Sequence, residues 1–216
     1  MSNTLRRSLA KITGASIALF ARLITAARTI WTGIEPTAKQ RIYYANHRST
    51  ADTVLIWTAL PQRLRQKTRP VAAADYWLAS KLREFIGRDV FNAVLIDRRP
   101  EHRTENPVDQ MIEALDEGSS LIIFPEGTRN DTEEDLLSFK TGIFHLSSLR
   151  NDIDLVPVWI DNLNEVMPKG EVIPVPLLCT VCFGHPIRLE DGESKESFLE
   201  RSRSALLELK TMEVSG

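Results

Sequence analysis

Beyond Pro36 the chain alternates short apolar, β-branched runs with segments of helical length, and this alternation most limits what it can fold into. Residues 41–45, 71–74, 91–97, 121–124, 155–160 and 177–183 have the composition and length of strands. Helices are expected over 50–59, 77–85, 107–117 and 139–149, with a closing helix over 196–212. Asn106 is placed to cap the third, Pro107 suits its first position, and Gly118 suits a left-handed stop. Strands and helices in alternation build an α/β layer architecture: a single domain with a central, largely parallel or mixed β-sheet flanked by helices. Pro157, Pro174 and Pro176 lack ladder donors, so the last strands are expected at edges or antiparallel. No internal repeat or linker interrupts the 216 residues, enough for one sizeable core.

Charge is unevenly distributed. The totals are 27 Lys and Arg against 29 Asp and Glu, a net charge of −2, which offers nucleic acid no electrostatic footprint; no nucleic-acid partner is expected. Residues 1–34, however, hold Arg6, Arg7, Lys11, Arg22 and Arg28 and no acid, leaving 22 basic against 29 acidic residues in the remainder. In this basic start Leu5, Leu9, Ile12, Ser16, Leu19, Leu23 and Ile30 recur near helical spacing, with Phe20 and Trp31 nearby, which predicts an amphipathic helix over residues 5–31. Lys11, Arg22 and Arg28 break the apolar run, and a spanning helix needs about 20 mainly apolar residues. Two placements fit: on an anionic membrane surface with the apolar face in the acyl boundary, or packed on the chain's own domain. Two cysteines make no disulfide framework, and no segment resembles a cleaved secretory signal, which suits a reducing cytosol.

Chemistry in an open α/β sheet gathers where strands end. Asn46-His47-Arg48-Ser49-Thr50-Ala51-Asp52 directly follows the strand at 41–45. Histidine accepts a proton near neutral pH, and a carboxylate on its other ring nitrogen fixes the tautomer and stabilises the imidazolium. His47 and Asp52 can form that pair if His47 sits on the entering turn and Asp52 in the first helical turn; equally, Ser49-x-x-Asp52 has capping-box spacing, and the two roles are compatible. The second cluster is Phe124-Pro125-Glu126-Gly127-Thr128-Arg129. Gly127 permits close backbone approach, Arg129 presents a planar fork, and successive N–H groups form an anion nest, so a phosphate site is one reading. The other is a strand-to-helix turn with Thr128-x-x-Asp131 as its cap and Arg129 in water.

Together the clusters resemble the glycerol-3-phosphate and lysophosphatidic acid acyltransferase family, whose hallmark is H-x-x-x-x-D followed by F-P-E-G-T-R. His47 to Asp52 and Phe124 to Arg129 match these motifs, and Val94-Leu95-Ile96-Asp97-Arg98 is similar to the family's strand closing on an Asp/Arg pair. Phe139-Lys140-Thr141-Gly142, Val156-Pro157-Val158 and Phe183-Gly184-His185-Pro186-Ile187 resemble its later blocks, so the matches run in order from 46 to 187, about two-thirds of the chain. The resemblance implies an enzyme that moves a fatty acyl group from a thioester, acyl-coenzyme A or acyl-carrier protein as co-substrate, to a hydroxyl of a lysophospholipid. It requires no cofactor and no metal. His47 is implied as general base oriented by Asp52, with N–H groups of residues 49–52 as an oxyanion site. Arg98, Glu126, Gly127, Thr128 and Arg129 are implied at the acceptor, Glu126 orienting Arg129 or the acceptor hydroxyls. Residues 1–34 then become the membrane-interface helix and 35–216 the acyltransferase domain, peripheral or monotopic at the cytoplasmic face of a membrane.

The chain departs from the family where many members carry Lys-x-Glu-Leu and Pro-x-x-Gly; it reads Ala74-Asp75-Tyr76-Trp77-Leu78 and Glu84-Phe85-Ile86-Gly87-Arg88. Asp75 near a headgroup disfavours a phosphomonoester and leaves another lysolipid hydroxyl open. Arg63, Arg65, Lys67 and Arg69 form a basic stretch suited to phosphates, an acidic carrier or headgroups, or simply to water. Cys179-x-x-Cys182-x-x-His185 has too few ligands on alternating faces for a zinc site, and His102 and His145 lack partners in sequence. Rival readings are a lipid or thioester hydrolase using the same His47 and Asp52, and a catalytically inactive membrane-surface binding protein. No G-x-S-x-G elbow supports the first.

Overall fold

Strand β2 (Arg41–Ala45) is buried along its whole length, which is why it reads as a continuous apolar run instead of an alternating one. Ile42 and Tyr44 face one half of the core with Leu121, Ile123, Leu146 and Phe198, while Tyr43 and Ala45 face the other with Ile56, Trp57, Val158 and Phe183. Layers of helices cover both halves. The computed structural model describes residues 3–25, 27–97, 106–161 and 179–213.

In chain order the elements are α1 (Asn3–Thr25), β1 (Arg28–Trp31), β2, α2 (Asp52–Ala59), α3 (Gln62–Arg65), β3 (Thr68–Ala73), α4 (Ala74–Trp77) and α5 (Lys81–Glu84). A π-helical turn (Phe85–Val90), β4 (Val94–Ile96), α6 (Pro107–Asp116), β5 (Ser120–Ile123), α7 (Gly142–Leu149), β6 (Asp154–Asp161), β7 (Thr180–Phe183) and α8 (Lys195–Glu213) follow. The sheet order is β1-β7-β6-β2-β5-β3-β4, and every pair is parallel except β6 with β7. This is the expected α/β fold with a mixed sheet. β2 lies at its centre; α2 leaves it toward one face and α7 follows β5 on the other, so the chain departs from these neighbouring strands toward opposite faces of the sheet.

The cap of α6 forms as read: Asn106 Oδ1 accepts the Val108 N–H at 3.0 Å, Pro107 opens the helix, and Gly118 has φ +82°. Two expectations change, and for the late strands the antiparallel alternative is the one realised, in the β6–β7 pair. The helix expected over 5–31 ends at Thr25, and Arg28–Trp31 instead pairs in parallel with β7, its Trp31 ring stacked 4.0 Å from Phe183. The helix expected over 77–85 divides into α4, α5 and the π-helical turn. Pro157 lies inside β6, with β2 on one side and the chain of β7 on the other; the ladder there passes from Val158–Phe183 to Leu155–Ile187 with one extra residue. That bulge faces the position where proline has no N–H to donate. Pro174 and Pro176 lie outside the described residues.

Candidate functional site

The site grows from two adjacent strand ends. β2 and β5 are parallel neighbours, so the residues after Ala45 and Ile123 emerge at the same sheet edge although they are far apart in sequence. Asn46 closes the end of β2: its side-chain amide donates to the Ile160 carbonyl at 2.9 Å and accepts the Ile160 N–H at 2.8 Å, extending the β2–β6 ladder by a side chain. His47 is therefore the first residue free to leave the sheet.

Asp52 Oδ2 lies 2.8 Å from His47 Nδ1, and the same oxygen accepts the backbone N–H groups of Arg48 at 2.7 Å and Ser49 at 2.8 Å. An oxygen taking two backbone donors is an acceptor, so Nδ1 is the donor toward it, and it is Nε2 that carries the lone pair of the neutral ring. The Asp52 side chain is 2% exposed and that of His47 20%, which buries the orienting group and leaves the ring accessible. Phe124 stacks on the imidazole at 4.1 Å and 19°, fixing the second rotational degree of freedom of the ring. The His47–Asp52 contact forms, while the capping box forms only by half: Asp52 accepts the Ser49 N–H, but α2 is entered at Ala51 without a side-chain cap and the Ser49 hydroxyl accepts from Ala51.

Glu126 joins the two loops. Its Oε1 accepts the His47 N–H and its Oε2 the Leu137 N–H, each at 2.8 Å, and the Asn130 N–H donates to the His47 carbonyl at 2.7 Å. Burial pushes the Glu126 carboxyl up, against the pull of the Leu137 and His47 N–H groups. Glu126 is 1% exposed, and its two oxygens tie the backbone of His47 to that of Leu137.

The loop then turns outward. Gly127 adopts φ +72°, a left-handed conformation that glycine reaches without strain, and a Cβ there would stand 3.1 Å from Lys140 Cγ. Gly127, Thr128 and Arg129 are exposed, and the Arg129 guanidinium has no partner among the described residues. The expected anion nest is smaller than read, because the Gly127 N–H donates to Phe124 at 3.0 Å and leaves those of Thr128 and Arg129. No helix starts at Thr128; Asn130 Oδ1 accepts the Thr132 N–H instead, in an Asx turn. The oxyanion site expected over 49–52 is also reduced. Ser49 donates to Asp52, Ala51 to Ser49 Oγ and Asp52 to the Ser49 carbonyl, leaving the Thr50 N–H.

Arg98 and His102 lie outside the described residues. Asp75, in α4 directly after β3, stands at the same sheet edge as His47. The basic stretch lies at the opposite edge, before and at the start of β3. There Arg63 donates to the Pro36 carbonyl, Arg65 covers the Trp57 ring at 4.9 Å, and Arg69 pairs with Glu117 at 2.7 Å. A cavity of about 430 Å3 nearby, lined by Arg69 of that stretch with Asn92, Gln110 and Glu113 among others, contains no residue of the His47–Asp52 or Phe124–Arg129 clusters. Cys179 and Cys182 belong to opposite halves of the core, and burial, with Asp161 and Asp52, pushes the Cys179 thiol up to about 11. Asn46 and Asn130 are the functional residues not singled out from sequence; each stands inside or beside a motif, but only strand adjacency reveals its role.

The arrangement can withdraw a proton at Nε2 and meet an anion at Arg129. The profile of the family described as Acyltransferase matches residues 10–161. Over 171 residues the chain is 29% identical to the 1-acyl-sn-glycerol-3-phosphate acyltransferase of Cocos nucifera, covering 76% of this chain and 51% of that protein. Over 168 residues it is 30% identical to the enzyme of that name from Limnanthes alba, covering 74% and 54%. The chain spans about half the length of these curated relatives. The crystal structure of the 1-acyl-sn-glycerophosphate (LPA) acyltransferase PlsC from Thermotoga maritima superposes with a TM-score of 0.72 at 21% identity, covering 96% of this chain and 81% of that one, a likeness of fold. The chain belongs to the Acyltransferase family.

Proposed function

We propose that this chain transfers a fatty acyl group from an acyl thioester, acyl-coenzyme A or acyl-carrier protein, to a hydroxyl of a lysophospholipid of the 1-acylglycerol-3-phosphate type, working peripherally at the cytoplasmic face of a membrane. The observation that carries the reading is the His47–Asp52 pair at the carboxyl end of the central strand, its Nε2 without a partner among the described residues, beside the open Gly127-Thr128-Arg129 loop. The names of the relatives support the acceptor.

In this mechanism Nε2 takes the proton of the acceptor hydroxyl as its oxygen bonds to the thioester carbonyl carbon. Asp52 stabilises the imidazolium that forms. The tetrahedral adduct collapses with cleavage of the C–S bond; the thiolate leaves readily because its conjugate acid has a pKa of about 8.5, and the imidazolium returns the proton to it. Arg129 and the N–H groups of Thr128 and Arg129 meet the acceptor phosphate, as would Arg98.

The test is transfer from labelled acyl-coenzyme A and acyl-carrier protein to a panel of lysolipids in vesicles, with His47→Ala and Arg129→Ala beside the wild type. Acylated lipid that requires His47, with a raised acceptor KM in Arg129→Ala, is expected. Free fatty acid without acylated lipid identifies a hydrolase, and binding without turnover refutes the catalytic reading.

A further inference from the structure

Residues 134–137 belong to no helix or strand, yet Leu136 is fully buried, so the polar groups of this backbone need partners from elsewhere. Side chains supply them. The Glu134 carbonyl accepts the Asn130 amide at 2.7 Å and also the Arg48 guanidinium. The Leu137 N–H donates to Glu126 at 2.8 Å, and the Leu136 carbonyl accepts the Arg203 guanidinium at 3.1 Å. These last two groups are the opposite ends of one planar amide, the peptide between residues 136 and 137. That plane is therefore held between a guanidinium of α8 and the carboxyl group that takes the His47 N–H at 2.8 Å.

α8 holds this segment at a second point, where Lys210 pairs with Asp135. Arg203 and Lys210 are seven residues apart, close to two full turns, and so lie on one face of the helix with Leu206 between them. Leu206 and Leu209 share their half of the core with Leu136. The Ser202 carbonyl accepts the Tyr44 hydroxyl at 3.1 Å, which seats α8 against β2, the strand from whose end His47 emerges. No residue of α8 belongs to either motif.

We propose that Arg203 is a positioning residue, which through the 136–137 peptide and Glu126 fixes the backbone of His47 and with it the approach of Nε2 to the acceptor hydroxyl. The guanidinium both anchors the amide and polarises it, which makes the Leu137 N–H a stronger donor to Glu126. Removing it frees the peptide plane to turn, Glu126 loses a fixed partner, and the His47 N–H loses a fixed acceptor. The effect on rate rests on the proposed acyl transfer, because a small misplacement of a general base is costly only where that base acts. The link from α8 to His47 is a property of the fold and is read without turnover.

The experiment is amide hydrogen exchange of the full chain by NMR, followed by steady-state acyl transfer with the same samples. Wild type is compared with Arg203→Met, which keeps the apolar stem without the guanidinium, and with Arg203→Lys, which restores a cation; thermal melts verify folding. In Arg203→Met, exchange at the Leu137 and His47 N–H groups is expected to rise about tenfold and kcat to fall about tenfold, with the acceptor KM within about twofold. Arg203→Lys is expected to recover part of both. The Arg48 and Ser49 N–H groups donate to Asp52 and do not pass through Glu126, so their exchange should not change. Unchanged exchange at Leu137 and His47 would overturn the proposal, and so would a rise spread evenly over α8 and the sheet, which would make Arg203 a packing residue. The local rise with an unaltered kcat would overturn the positioning role. If the wild type transfers no acyl group, the exchange pattern still supports or overturns the link to His47, so failure of the catalytic reading is separately visible.

Discussion

Asp52→Asn separates the two roles that Asp52 combines. In the wild type one oxygen takes three N–H donors, from His47 Nδ1, Arg48 and Ser49, and the side chain is 2% exposed. An asparagine oxygen in the same place still accepts all three, but as neutral hydrogen bonds. Charge-assisted bonds exceed neutral ones by about 1 kcal/mol each, so the three together lose about 3 kcal/mol before any relief from no longer burying a charge. That relief offsets about 1–2 kcal/mol of it, so the variant is expected to fold with a net loss of about 1–2 kcal/mol. For a chain of this size that lowers the melting temperature by about 2–8 °C. The catalytic effect is different in kind, because nothing offsets the lost counter-charge when the ring becomes an imidazolium. A general base contributes about 10²–10⁴ in rate, and kcat is expected to fall by a factor in that range while the acceptor KM changes little. The assay is steady-state acyl transfer beside a calorimetric melt of the same sample. A folded Asp52→Asn protein with kcat within threefold of the wild type would refute the dyad and leave Asp52 as an acceptor for the Arg48 and Ser49 N–H groups alone.

Gly127→Ala forces an L-residue into φ +72° and brings a Cβ to 3.1 Å from Lys140 Cγ; it should lose about 1–2 kcal/mol in chemical denaturation, more than Gly127→Asn, which tolerates that conformation. Asp154 is drawn upward by burial, but hydrogen bonds and charge from Lys39 at 2.5 Å and Arg188 at 2.7 Å hold its carboxyl below the ordinary value. The stability it contributes is present above the ordinary carboxylate range and disappears as pH falls through its lowered folded value. The advantage of the wild type over Asp154→Asn, about 1 kcal/mol after screening of the half-exposed cations, should therefore vanish over that acid window in a pH series of melts. Phe124→Ala removes the ring stacked on His47 and is expected to lower kcat more than it raises the acceptor KM, as steady-state kinetics would show.

Local pattern by itself determined the layered α/β class and the positions of most elements. Residues 41–45 and 155–160 read as strands because strands covered on both faces carry unbroken apolar runs, and the α6 boundaries are written in Asn106, Pro107 and Gly118. The His47-to-Asp52 spacing likewise carries its own geometry, since both residues lie within one turn of a single loop and helix. Residues 28–31 were not legible as a strand: their apolar positions continue the helical spacing of α1, and only pairing with β7 selects the extended form. That Glu126 accepts the His47 N–H follows only from the parallel pairing of β2 with β5, and that the basic stretch at 63–69, suited to phosphates, an acidic carrier, headgroups or water, lies at the far edge from His47 follows only from the direction of β3. Sequence encodes what a residue does within a turn or two of itself. Which loops share a sheet edge, and whether the large side chains of α1 face the core or the surroundings, depends on strand order and on the close seat that Gly14 gives the helix, and tertiary structure alone decides these.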